Sequence, residues 1–270
     1  MDTARFLDTL DSEGRLLATA AEQAGTDAAV PTCPEWRIGD LLRHTGAVHR
    51  WAAGFVADGI HAPRRLDALP ALDGPELVAW YRDSHRELVR TLTRAAPDTE
   101  CWAFLPAPSP LAFWRRRQAH ETTVHRFDAQ AALAAVRAGT PPPTVTGAQA
   151  DTPPPTLRAT RLAAPSPIAA DFAVDGIDEL LRGFHARARS RVRTENPRVL
   201  RVRTSDTDAV WTVRLSQEPP AATRGAEGDA ECELSGPADL LYLALWNRVP
   251  VPKVSGDPTL ARLWRQTSAV

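Results

Sequence analysis

The chain has 270 residues, enough for one large domain or two ordinary ones. Its 32 basic and 33 acidic residues leave a formal net charge of −1, which gives no electrostatic reason to expect nucleic acid or an anionic membrane as partner. The thiols Cys33, Cys101 and Cys232 are odd in number and share no metal-like spacing; with no signal peptide and no apolar run of bilayer length, a cytoplasmic protein in a reducing compartment is expected.

The first half reads as helices. From Asp2, the residues Phe6, Leu10, Leu17 and Ala21 recur at helical spacing until Gly25. A second helix is predicted from about Trp36 to Asp58, with Leu41, Val48, Ala52 and Phe55 on one stripe. A third begins near Asp73, with Pro75 in its first turn. A fourth runs from about Leu111 to Arg137. Four helices joined by moderate loops predict an antiparallel bundle over residues 1–138.

Residues 139–168 break the pattern. Pro141-Pro142-Pro143, Pro153-Pro154-Pro155, Pro165 and Pro167 stand among Thr, Ala and Gly, as in a linker. Residues 169–270 then read as a small α+β domain. A helix is expected from Ala169 to about Arg191. Strands follow at Arg198–Thr204, Val210–Leu215 and Glu231–Leu234. A helix starts at Ser235-Gly236-Pro237 and runs to Asn247, and Asp257-Pro258 opens the last one with a cap and a first-turn proline.

The chemistry concentrates in helix four, in His120-Glu121-Thr122-Thr123-Val124-His125-Arg126-Phe127-Asp128. Glu121 and His125 are four apart and share a face, so one helix can offer both to one metal ion. His120 lies about 140° around from His125 and is poorly placed to join them. This separates the pattern from the zinc-protease motif, in which two histidines four apart bind the ion. On helix two, His44 falls on the apolar stripe between Leu41 and Val48, and His49 lies about 140° away from it. An inward His44 beside the Glu121/His125 pair would make a His₂Glu site, and three protein ligands leave a coordination position open. Asp128, three after His125, could orient that imidazole. A lone imidazole on an apolar face is commonly a hydrogen-bonded core residue, so the reading rests on the joint pattern.

Thr32-Cys33-Pro34-Glu35-Trp36, followed by Asp40-Leu41-Leu42-Arg43-His44-Thr45-Gly46-Ala47-Val48-His49-Arg50-Trp51, resembles the opening of the mycothiol-dependent maleylpyruvate isomerase family. Ala119 to Ala129 is similar to that family's second metal motif. Ala170 to Glu179, Ser235 to Leu241, Leu245 to Arg248 and Val254 to Pro258 resemble its C-terminal domain. The resemblance implies a DinB-like four-helix bundle followed by a sterol-carrier-like α+β domain. It implies a divalent ion, usually zinc, held by His44, Glu121 and His125, and mycothiol as thiol co-substrate. It also implies an active-site arginine from the second domain, whose counterpart looks like Arg248.

A thiol on a divalent cation loses its proton at neutral pH. The expected activity is thiol S-transfer to, or cis–trans isomerisation of, a small electrophile through a metal-bound thiolate. Arg248 is a candidate clamp for a substrate carboxylate; Arg82 and Arg86 are weaker ones. Trp36 and Trp51 read as core packing and Cys33 as a structural thiol. Two other classes stay open. One is a binding protein that sequesters a small compound. The other is a metal-dependent hydrolase with His49 or Asp128 as its base.

Overall fold

The structure is a computed structural model and describes residues 3–139 and 165–269. It divides into two compact units, residues 1–166 and 167–270. Most of the proline-rich stretch expected as a linker lies outside the described residues.

The first unit is a bundle of α1 (Thr3–Ala24), α2 (Ile38–Asp58), α3 (Gly74–Arg94) and α4 (Pro110–Arg137). Each boundary has a local cause. The Asp40 carboxylate accepts the Arg37 N–H at 2.9 Å at the start of α2, and Gly59 ends that helix in the left-handed region at φ 59°. Asp73 accepts the Gly74 N–H at 2.8 Å ahead of Pro75. The Ser109 hydroxyl accepts the Ala112 N–H at 3.1 Å ahead of a first-turn proline.

Packing is closest between α1 and α4 and between α2 and α3, followed by α1 with α3 and α2 with α4. Consecutive helices α1/α2 and α3/α4 therefore sit across the diagonals, and α2 stands beside α4. Leu17, Ala21, Leu41, Leu42, Leu77, Tyr81, Ala129 and Ala132 fill the shared core. A second, aromatic cluster joins Trp51, Phe55, Trp102 and Trp114, with Phe55 and Trp114 stacked at 5.2 Å. Trp51 packs in it as expected.

The second unit is α+β. Its five-stranded sheet has the order β3-β2-β1-β4-β5, with β1 (Arg198–Thr204), β2 (Val210–Leu215), β3 (Ala221–Arg224), β4 (Cys232–Gly236) and β5 (Lys253–Gly256). Only β1 and β4 run parallel. Leu200, Val202, Trp211, Val213 and Leu234 are buried on the sheet. The helical segments of the unit are α5 (Ala170–Asp178), α6 (Ala238–Leu245) and α7 (Pro258–Thr267).

Three expectations are corrected here. The helix expected to reach Arg191 is α-helical only to Asp178, then widens into a π-helical segment, Glu179–Phe184, closed by His185 N–H to Leu180 O at 3.0 Å. Ser235 and Gly236 belong to β4, because they pair with β1 opposite Arg203 and Thr204. Strands β3 and β5 were not foreseen. Both are four-residue edge strands lying mostly in solvent, so they carry no apolar alternation to read. No helix among the described residues is long and apolar enough to cross a membrane.

Candidate metal centre

The diagonal arrangement of the bundle sets α2 against α4, and His44 meets the Glu121/His125 pair there. The Glu121 Oε1 lies 3.3 Å from His44 Nε2 and 3.3 Å from His125 Nε2. One ligand atom from each of the three residues falls within a 4.8 Å group that could hold a metal ion. Donors at about 2.1 Å on a tetrahedral ion sit roughly 3.4 Å apart, so these separations fit one small divalent cation. The two imidazole nitrogens and one carboxylate oxygen also suit a zinc-like ion.

Neighbours hold each ligand in place. Asp128 is fully buried, and its Oδ2 accepts from His125 Nδ1 at 2.9 Å. The other ring nitrogen of His125, Nε2, faces Oε1 of Glu121 at 3.3 Å. The Thr32 hydroxyl donates to the other Asp128 oxygen at 2.6 Å, and Cys33 Sγ lies 3.8 Å from Oδ2. The Trp36 ring stands 5.0 Å from the His44 ring and stacks on His125 at 5.9 Å. Arg117 donates from Nη2 to the other oxygen of Glu121, Oε2, at 2.9 Å.

These contacts set the charges. Burial works to raise the Glu121 carboxyl, but hydrogen bonds from His125 and His44 and the charges of His125 and Arg117 outweigh it and hold it well below its ordinary value. Burial disfavours the His125 imidazolium, yet Asp128 and Glu121 prevail and push it up to about 9. His49 is different. Burial first, then the charge of His85, hold it well below its usual value as a neutral ring.

The structure thus brings His44, Glu121, His125 and Asp128 together. Arg248 belongs to the second unit, where its Nη1 donates to the Trp246 carbonyl at 2.8 Å, one residue past Asn247 in the left-handed region at φ 62°. Arg82 pairs with Glu22 and Arg86 with Asp83 on exposed surface, away from the centre. His49 is buried within the bundle, 2.9 Å from the Thr122 hydroxyl and beside the Tyr81 and His85 rings. His120 is buried edge-on to Phe6.

Trp36 and Cys33 pack against the bundle core, as their sequence readings have it; in addition the Trp36 ring stands beside the His44 and His125 rings, and Cys33 Sγ lies 3.8 Å from Asp128 Oδ2. Arg117 and Thr32 were missed. For Arg117 a signal existed, since it stands four residues before Glu121 and shares its face. For Thr32 there was none, because its contact spans 96 residues.

Comparison with protein families matches residues 7–130 to the mycothiol maleylpyruvate isomerase N-terminal domain and residues 171–263 to the C-terminal domain of the same family. The chain belongs to the mycothiol maleylpyruvate isomerase family. The three residues of the His/Glu/His group, and Asp128, lie inside the family's N-terminal match, and Arg248 lies inside its C-terminal match. The family is named for an enzyme, and its two domains cover both compact units. A comparison with curated proteins gave no match.

Proposed function

We propose that this protein is a metal-dependent thiol S-transferase or cis–trans isomerase that uses mycothiol, or a similar low-molecular-weight thiol, on a small electrophilic metabolite. The observation that carries this reading is the convergence of His44, Glu121 and His125 on one 4.8 Å group inside the family's N-terminal domain. In this reading the three residues hold a divalent ion, with zinc as the best fit to the donor set.

A bound dication supplies Lewis acidity that lowers the pKa of a coordinated thiol, so the thiol is nucleophilic at neutral pH. The chain's own residues prepare that chemistry. Asp128 fixes the His125 tautomer, and Thr32 fixes Asp128. The Trp36 ring packs against both imidazoles. Arg248, in the second unit, is proposed as a carboxylate-binding residue, for which its planar fork is suited.

In the isomerase form, the thiol sulfur adds to one carbon of a conjugated cis double bond and the electron pair moves onto the carbonyl. The new single bond rotates. The pair returns, the sulfur leaves and the trans alkene results. In the transferase form the sulfur displaces a leaving group and stays attached. The hydrolase reading is less well supported. Its two candidate bases are engaged, His49 in the bundle interior and Asp128 by Thr32 and His125.

The test is elemental analysis of chain purified without chelator, beside a His44→Ala, His125→Ala variant, followed by turnover of an electrophile with and without thiol. About one divalent ion per chain is expected, lost in the variant, with strict thiol dependence. A wild-type chain that takes up no ion after incubation with zinc sinks the reading and leaves a binding protein as the better one.

A further inference from the structure

The two oxygens of Glu121 have different partners. Oε1 faces the two imidazole nitrogens at 3.3 Å, while Oε2 accepts from Arg117 at 2.9 Å. Arg117 and Glu121 stand one turn apart on α4, and the arginine side chain is only 3% exposed. We infer that Arg117 is a positioning residue that confines Glu121 to one coordinating oxygen, so that an ion held by His44, Glu121 and His125 keeps a position for an exogenous anionic ligand. This rests on the metal-centre reading above.

The argument is one of geometry and charge. For Glu121 to grip an ion with both oxygens, Oε2 must leave Arg117. That would separate a charge-assisted pair and cost a buried guanidinium one of its partners. A dication with two neutral imidazoles and one carboxylate carries a net single positive charge. The guanidinium adds a second within a few ångströms. An incoming anion, such as a deprotonated thiol, gains from both in a partly buried site.

The test uses the full chain loaded with cobalt(II), whose visible absorption reports coordination number, titrated with 2-mercaptoethanol and read at the sulfur-to-cobalt charge-transfer band. The wild type is expected to show the strong absorption of a four-coordinate ion and saturable thiol binding. Arg117→Met should give the weaker absorption of a more highly coordinated ion, with thiol affinity lower by on the order of tenfold. Arg117→Lys, which keeps the charge and one donor, should restore the affinity.

If the Met variant does not fold, Arg117→Gln decides. Keeping one neutral donor to Oε2, it should retain the four-coordinate spectrum and still lose thiol affinity. Wild-type thiol affinity in the Gln variant, or an unchanged spectrum and affinity in a folded Met variant, overturns the inference while leaving the metal centre intact. Failure of the wild type itself to bind cobalt removes the metal-centre reading, and the inference with it.

Discussion

The two units place their polar groups in opposite ways. Along α4 the bundle buries Arg117, Gln118, His120, His125, Arg126 and Asp128. The second unit keeps most of its ions at the surface, as in Arg203–Glu233 and Arg214–Glu227. Among its described residues, the acidic, basic or imidazole side chains it buries are Glu179 and His185. Burying charge without ideal partners costs stability. A helix that accepts this cost along most of its length is organised around something besides packing. In the second unit, apolar strands and helices suffice to hold the fold. The difference sets the candidate metal centre apart from the packing of the second unit.

His185 offers the largest break in that contrast. It sits edge-on to Trp264 and 3.1 Å from the Ser190 hydroxyl, and burial pushes its imidazole down to about 4 from 6.5. The folded unit keeps the neutral ring while the unfolded chain takes up a proton below 6.5. This contribution to stability is therefore complete above about 6.5 and is lost as pH falls toward 4. At about 1.4 kcal/mol per pH unit the loss is about 3 kcal/mol. Urea melts across this interval, compared with His185→Phe, measure it; an identical pH slope in the two chains refutes it.

Next comes the support of the centre. Asp128→Asn keeps the shape but removes the charge that holds His125. Ion affinity should fall by about 10- to 100-fold with little loss of helix content. Competition against a chelator of known affinity reads this directly, and an unchanged affinity would make Asp128 a purely structural acid.

Gly14 tests the packing of the bundle's buried polar side chains. A Cβ there would come within 2.2 Å of the His85 ring, which is itself tied to the Leu10 carbonyl at 3.0 Å. Gly14→Ala should destabilise by about 1–3 kcal/mol through overpacking, read as a lower Tm. No change would mean that His85 turns aside without cost.

The smallest effect belongs to the surface of the second unit. Glu233→Ala breaks the half-exposed pair with Arg203 at 3.1 Å and should cost under about 1 kcal/mol. A larger loss would blur the contrast between the units.

Much of this was legible before the fold. Pro75 after Asp73 and Pro258 after Asp257 marked two helix starts, because capping is a local hydrogen-bond requirement. The Glu121/His125 pair was legible because helical periodicity alone puts residues four apart on one face. His44 as their partner was an inference from its apolar stripe.

What tertiary structure decided is whatever depends on residues distant in sequence. The diagonal order of the helices set α2 beside α4 and brought the three candidate ligands into one group. Thr32 reached Asp128 across 96 residues, and Trp36, packed against the core as expected, also met the His44 ring. Strands β3 and β5 exist because a neighbouring strand offers its backbone groups, which no side-chain pattern of their own announces. Local rules of capping and periodicity act on a few adjacent residues, so the sequence displays them. Ladder pairing, ring stacking between helices and the meeting of Glu121 Oε1 on α4 with His44 on α2 arise only once separate segments meet.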